Sequence, residues 1–430
     1  MLSNMWFAHH HYIGDTSVSL RTLIDVLFLF LITYAVVKAS GWLYRLLFTM
    51  HEYVPNFPHL NQHRKNKHYG RVRKKNGEMM EADIPAIPNG WFYLLASVDL
   101  AKEHVKHVTA CGLELAVFRD AFGEVYAVDA FCPHLGANMA RGGIVKGSCL
   151  VCPFHAWEFS GIDGKCSHIP GAKKIPEIVK TKCWPVLERN EVVMLWYDAE
   201  DRDPQYLPNE CEEITELGWK VHGRSEHTVY CHISEIPENG ADIAHFLPVH
   251  HASLHHGSDM RDINKDNKDK KVQHIFGDAS WMASKEDWYL AKGTLCHDLY
   301  LNGYRLPFAK VPAAFEQIGP GIVHLRINSS KPGLLLQFAV PIEPFKTRLV
   351  HLTLGPSGIK SKLWALLILR TEACMVERDI CIWNNKLYSK RMNHLAGTDE
   401  LIVRFRRWYA QFYSENSRNK TYQHRIDLTW

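Results

Sequence analysis

The sequence contains no strand–Gly-x-Gly-x-x-Gly–helix unit, so it offers no built-in site of the common dinucleotide-binding kind. It has little charge of one sign: the formal net charge is +4 over 430 residues, too small to argue for a polyanionic partner. Basic residues do gather at Arg64, Lys65, Lys67, Arg71, Arg73, Lys74 and Lys75, but no recognition module accompanies them. That sets nucleic acid aside. The 11 cysteines lack the regular spacing of a disulfide framework. Missing too is a cationic stretch ahead of the first apolar run, where only Arg21 stands, which argues against a cleaved leader.

What is present first is bulk: 46% of the residues are apolar, enough for two or three domains with real cores. Residues 1–50 are expected to form a segment of their own around the run Val26 to Val37. Counted from residue 22 to 44, that run matches the roughly 20 residues a bilayer crossing takes. Lys38 can snorkel, and Trp42 and Tyr44 suit an interfacial belt, so a transmembrane helix is expected; Asp25 counts against it. A buried core helix and cleavage near Val37-Lys38-Ala39 are the competing readings. The basic cluster lies in an expected linker over residues 51–87. It places the bulk of the protein on the cytosolic side of a membrane, or touches anionic lipid directly.

Residues 88–198 read as a small all-β domain, with strands expected at Gly90–Leu95, Leu113–Phe118, Val125–Val128, Cys149–Val151 and Val192–Trp196. It carries a mixed ligand pattern: Cys132-x-His134, seventeen residues, then Cys152-x-x-His155. A Rieske-type [2Fe-2S] cluster takes two thiolates on one iron and two imidazoles on the other, so each half-motif must offer one sulfur and one nitrogen. Zinc sites of this composition instead pair Cys with Cys and His with His. Pro133, Gly136 and Pro153 supply the turn chemistry that lets two loops close over a cluster.

On these residues the domain resembles that of the Rieske non-haem iron oxygenases. Ala137 and Phe154 stand where respiratory Rieske proteins carry a further cysteine pair, which favours the oxygenase branch. The resemblance implies electrons from an NAD(P)H-linked reductase, and free thiolates imply a reducing compartment.

A second metal segment follows, Glu238-Asn239-Gly240-Ala241-Asp242-Ile243-Ala244-His245-Phe246-Leu247-Pro248-Val249-His250. Mononuclear non-haem Fe(II) sites use two histidines and one carboxylate on one octahedral face, which leaves positions for O2. His245 and His250 are the candidates. Five residues apart on an ideal helix they point about 140° apart, so Pro248 is expected to break the helix between them. His251 is the rival to His250, while His255 and His256 read as loop or neighbouring residues. Asp242, three residues before His245, is placed to orient a ligand imidazole.

A long helical pattern from Leu363 to Tyr388, with an apolar face of Leu367, Met375, Ile380 and Ile382, carries Glu372, Glu377 and Asp379. Exposed i, i+4 partnering is the plain reading of the two glutamates. In the resembling steroid-active members the ligand aspartate lies in a Glu-x-Asp-Ile-x-Ile-Trp context. Glu377 to Trp383 match it, so the resemblance implies Asp379, with Glu377 as the fallback. Strands are expected at Trp288–Leu295, Val323–Ile327, Leu334–Val340 and Arg348–Leu354, and an aromatic helix at Glu400–Tyr413.

From residue 88 to the end the resemblance is closest to the animal cholesterol 7-desaturases, the Neverland group. It implies an α+β chain: a transmembrane helix, a Rieske [2Fe-2S] domain over 88–198, and a helix-covered antiparallel-sheet catalytic domain (START/Bet v1-like) over 199–430. The implied reaction is conversion of cholesterol to 7-dehydrocholesterol for steroid hormone biosynthesis. The implied cofactors are the [2Fe-2S] cluster, held by Cys132, His134, Cys152 and His155, and a mononuclear Fe(II), held by His245, His250 and Asp379. O2 and NAD(P)H electrons arrive through a flavin reductase, or a reductase plus ferredoxin. Further implications are a homotrimer in which Asp242 bridges His245 to His134 or His155 of the next chain, and a single-pass place in the endoplasmic reticulum. A Rieske monooxygenase of another steroid or lipid, and a membrane-tethered Rieske electron carrier, remain the alternatives.

Overall fold

The structure, a computed structural model, describes residues 20–53, 55, 71–73, 79–81, 87–252, 257–260, 272–306, 310–386, 388 and 397–419. Arg64, Lys65, Lys67, Lys74 and Lys75 of the basic cluster, and His255 and His256, lie outside these residues. The chain divides into residues 1–50 and residues 51–430.

In the first unit, helix α1 (Leu20–Phe48) runs for 29 residues. Its described apolar side chains, among them Leu27, Phe28, Leu29 and Val37, are exposed. Among the described residues, no helix is long and apolar enough to cross a membrane.

The second unit begins with a departure from the expected linker. His51–Tyr53 is an edge strand, paired in parallel with Lys220–Val229 in the register His51↔Gly223 and Tyr53↔Ser225. An open sheet edge offers unpaired backbone groups to any extended segment, and Tyr53 adds a contact of its own described below. Arg71–Arg73 and Met79–Glu81 form a short antiparallel pair.

Residues 90–197 build three small antiparallel sheets. All five expected strands are present, each within a residue or two of its expected bounds. The strand Gly90–Ala96 is buried along its whole length, too apolar for one side to meet water. Its partner surface is the catalytic half: Tyr93 stacks on Phe338 with ring centroids 5.0 Å apart, and Arg348 Nη2 donates to the Leu94 carbonyl at 2.9 Å. Trp91, Phe92 and Leu94 share one core with Leu334, Leu336 and Leu352. The boundary near residue 198 is thus a change of motif within a shared core.

Cluster-bearing loops are braced by a second core that includes Phe118, Met139, Leu150 and Phe159. Gly164 is a tight point beneath it. Its φ is +74°, and an added Cβ would lie 2.0 Å from the Thr181 carbonyl oxygen, which a side chain cannot satisfy by rotating. Gly164→Ala is expected to destabilise the protein by about 2–4 kcal/mol, read as a lowered denaturant midpoint.

The catalytic half is a nine-stranded sheet, antiparallel apart from the added edge strand. Its long strands are Lys220–Val229, Val272–Ala283, Leu290–Leu301, Val311–Ile318, Gly333–Glu343 and Lys346–Gly355. The expected strand at Trp288–Leu295 begins later and runs on to Leu301. The sheet lines a cavity and is covered by a helix, as the resemblance implied.

That covering helix, α2 (Ile359–Trp383), starts after Gly358 and stops five residues before the expected Tyr388. It settles onto the sheet at Gly223, where a Cβ would stand 2.8 Å from Leu369 and 3.0 Å from Leu366. Its buried face differs from the expected one. Ile380 is buried, but Leu367 and Ile382 are 52% and 45% exposed, and Glu377, Arg378 and Asp379 point inward instead. Polar side chains take the core-facing side because each has a partner waiting there. The aromatic helix α3 (Glu400–Tyr409) packs Phe405, Trp408 and Tyr409 into a core with Trp281 and Phe315.

Candidate metal centres

The two cluster loops are near copies in backbone terms. In the first, Cys132 N–H donates to Ala137 O at 2.8 Å and Gly136 N–H to Cys132 O at 2.9 Å; in the second, Cys152 N–H donates to Trp157 O at 2.8 Å and Ala156 N–H to Cys152 O at 3.1 Å. Gly136 at φ +72° and Ala156 at φ +56° take the same left-handed turn. Glycine does so freely and alanine under strain.

Both cysteines are buried in the core, and the Cys152 thiol is close enough to Cys132 to raise its pKa. Burial first, and then the Cys152 neighbour, push Cys132 up to about 11, against backbone N–H groups of His134 and Leu135 that pull it down. His134 and His155 converge with ring centroids 4.7 Å apart, and His134 lies flat on Trp157 at 4.1 Å. His134 Nδ1 is buried with no hydrogen-bond partner. An orphaned ring nitrogen beside two buried thiols is costly for a protein alone. The same set fits a [2Fe-2S] cluster with two sulfur and two nitrogen ligands. Leu135 and Phe154, 64% and 62% exposed, rim this site beside the exposed His155.

The second centre is built from three elements. Asp242 caps a 3₁₀ turn, Ile243–His245, its Oδ1 accepting from the His245 backbone N–H at 3.3 Å. A short helix, Phe246–His250, follows at once. Pro248 does not break it. As the third residue of that helix, its missing N–H falls among the donors that have no partner anyway. The backbone stays right-handed helical through His245 and Phe246, and the rings of His245 and His250 come to 5.2 Å at 81°.

His250 is buried, its Nε2 lies 3.3 Å from Asp379 Oδ1, and its Nδ1 has no partner. One donor atom from each of His245, His250 and Asp379 falls within 4.8 Å of the others. That set, two imidazoles and a carboxylate, fits a mononuclear iron. The rivals are engaged elsewhere. His251 Nδ1 bonds the Leu247 carbonyl at 2.9 Å, and Glu377 receives Tyr53 Oη at 3.1 Å and His227 Nε2 at 3.2 Å. Between these two rivals, Arg378 ties the elements together, donating to the carbonyls of Ala252 at 2.9 Å and Gly257 at 2.9 Å. It thereby holds the His250 segment against the helix that carries Asp379.

Asp242 differs in detail from expectation. The His245 ring nitrogen Nδ1 is met by the Asp242 main-chain carbonyl, while the carboxylate Oδ2 stands 3.9 Å away and is part-exposed. The main chain orients the ring because the cap has already turned the carboxylate toward the backbone.

All three donors line a partly open cavity whose space, counting the solvent at its mouth, is about 860 Å³. Phe246, Phe276, Leu295, Phe315, Leu335 and Trp383 make most of its wall apolar, and Asn239, Gln337 and Glu372 bring polar groups to it. Burial raises Glu372 to about 7, against the pull of His250, with Asp379 adding to the rise. Next to the site, His274 Nδ1 and His297 Nε2 meet at 2.6 Å. Burial first, then mutual repulsion, hold His274 down to about 3, so the pair is neutral.

Sequence reasoning missed Glu372, Gln337 and this histidine pair. A signal existed for Glu372: it stands seven residues before Asp379, hence on the same helix face, about 20° apart in rotation.

The family described as the Rieske [2Fe-2S] domain matches residues 90–185, and the one described as the 3-ketosteroid 9alpha-hydroxylase C-terminal domain matches residues 195–413. The chain is 40% identical over 364 residues to the cholesterol 7-desaturase nvd of Xenopus laevis, covering 82% of this chain and 79% of that one. To the cholesterol 7-desaturase nvd of Drosophila melanogaster it is 37% identical over 368 residues, covering 84% and 82%. In fold it matches the crystal structure of dicamba monooxygenase bound to 3,6-dichlorosalicylic acid, with a TM-score of 0.58 and 17% identity, over 77% of this chain and 98% of the other.

Proposed function

This chain belongs to the cholesterol 7-desaturase family of Rieske oxygenases, and from that premise we propose that it introduces the C7–C8 double bond into cholesterol, giving 7-dehydrocholesterol for steroid hormone biosynthesis. The observation that carries this reading is the convergence of His245, His250 and Asp379 on the wall of a mostly apolar cavity, in a chain that also carries the Cys132–His155 loops. Two hydrogens leave the sterol, and two electrons from NAD(P)H, with one proton from NAD(P)H and one from solvent, complete the reduction of one O2 to two waters.

Cys132, His134, Cys152 and His155 would hold the cluster, and His245, His250 and Asp379 the iron; together these groups supply single electrons and a place to activate O2. The protein's own part is placement. Apolar walls exclude water and hold the ring system, the Asp242 carbonyl fixes the His245 ring, and Arg378 fixes the His250 segment. Without a dinucleotide-binding unit in the sequence, the electrons need a separate flavin reductase, or a reductase with a ferredoxin.

A homotrimer belongs to the same proposal. Exposed Leu135 and Phe154 beside His155 offer one apolar surface, and exposed Leu247 beside His245 and Asp242 offers another, which suits a head-to-tail ring. In it the part-exposed Asp242 carboxylate bridges toward His134 or His155 of the next chain. Membrane attachment through α1, with the catalytic part in the cytosol at the endoplasmic reticulum, rests on the exposed apolar side chains of that helix and the basic residues after it.

The test is to incubate the protein in membranes with its reductase, cholesterol, NADPH and O2, and to identify the sterol product. 7-Dehydrocholesterol is expected. A hydroxylated sterol, or conversion only of another lipid, would replace the desaturase reading with the monooxygenase one.

A further inference from the structure

Among the described residues, the Glu372 carboxyl on the cavity wall has no hydrogen-bond partner. Glu372 lines the cavity, and the nearest basic ring is His351, whose Nε2 lies 3.9 Å from Glu372 Oε1, beyond hydrogen-bond reach. That same His351 nitrogen is used by another group: it stands 2.9 Å from Gln337 Oε1. His351 is fully buried and its Nδ1 has no partner, so the ring is neutral with its proton on Nε2, donated to Gln337. The Gln337 amide is thereby turned, its oxygen toward His351 and its NH2 group left over for the cavity. The cavity then presents a donor and an acceptor side by side in a mostly apolar wall. Only a group that both accepts and donates satisfies the pair, and a hydroxyl does.

Position gives the pair its meaning. Seven residues separate Glu372 from Asp379 on α2, so both carboxyls face the same way about 10.5 Å apart along the helix axis. One marks the reacting end of the cavity, and the other lies two turns along.

We propose that Gln337 and Glu372 form the subsite for the substrate's hydroxyl, Gln337 donating to its oxygen and Glu372 accepting from its hydrogen. The inference rests on the sterol desaturase reading above, in which the 3-hydroxyl lies one fused ring from the carbon that reacts. The subsite fixes which carbon meets the iron ligands, and it does so without touching that carbon. Burial pushes the Glu372 carboxyl up to about 7, which fits a group facing a mostly apolar wall.

The experiment compares cholesterol with cholest-5-ene, the same sterol without the hydroxyl, in the holoenzyme and in Glu372→Leu and Gln337→Leu variants. Equilibrium binding of each radiolabelled sterol is read first, then kcat and KM separately. The wild type is expected to bind cholesterol roughly 10- to 100-fold more tightly than the deoxy compound, the span of a hydrogen bond to a charged group. In either variant that preference falls toward one, with the loss in KM. A preference unchanged in both variants, in protein with an intact cluster EPR signal, overturns the subsite, as does a wild type with no preference. Should one variant fail to fold, the other decides. Wild-type binding of cholesterol without conversion sinks the desaturase reading and leaves the subsite to be judged on binding alone.

Discussion

Alanine in place of Asp379 leaves the cluster's EPR signal unchanged and abolishes both the catalytic iron and turnover. Iron content is expected to fall from about three per chain to about two, since a Rieske cluster holds two and the mononuclear site one. Asp379 is the carboxylate that faces His250, at 3.3 Å, and without it the site is left with two imidazoles. A metal held by two neutral ligands is weakly bound. Glu377 cannot substitute, because it is fully buried on another side of the helix, receiving Tyr53 and His227. The fold should survive the change. Arg378 still clamps the Ala252 and Gly257 carbonyls, so the His250 segment stays against the helix. Iron analysis beside EPR of the reduced protein checks the prediction. Catalytic iron and activity retained in the variant would move the ligand role to Glu377.

The same residues explain what could be read in advance. The cluster loops were legible because everything they need is local: a sulfur and a nitrogen in each half, with Pro133, Gly136 and Pro153 to turn the chain. The strand at Gly90 was legible as a strand, but its burial on both sides was not, since the second layer is Phe338 and Arg348, some 250 residues away in sequence. Helix α2 was legible as a helix, yet its inward face was mistaken. An apolar count favoured Leu367 and Ile382, whereas the fold turns Glu377, Arg378 and Asp379 inward to partners on strands and loops far off in the chain. Pro248 misled for the opposite reason, a local rule applied without knowing where the helix begins: at a helix start, proline costs nothing. Glu372 was read as a surface residue although its seven-residue spacing from Asp379 puts both on one helix face, because that the face meets a cavity is set by the sheet opposite.

Asp242→Asn carries the second large effect, and the observed geometry makes it a cleaner test than the motif alone allowed. The His245 ring is held by the Asp242 main-chain carbonyl, which asparagine keeps. The backbone cap at His245 N–H needs only one side-chain oxygen, which asparagine also keeps. Both metal centres should therefore stay loaded and the cluster should still be reduced by its partner. What is lost is the second oxygen, part-exposed and 3.9 Å from the His245 Nδ1, the group proposed to accept from a cluster histidine of the next chain. An amide nitrogen there donates, and so cannot accept from an imidazole N–H. Reoxidation of the cluster on mixing with O2 and sterol is expected to slow by roughly 10- to 100-fold or more, the cost of removing a partner just outside a metal's ligands. Rapid-mixing absorbance at the cluster bands measures it, independently of product yield. Reoxidation at the wild-type rate would leave Asp242 as a helix cap and nothing more. A fully active monomer in solution would rule out any route between chains, because within one chain the carbonyl already does the orienting.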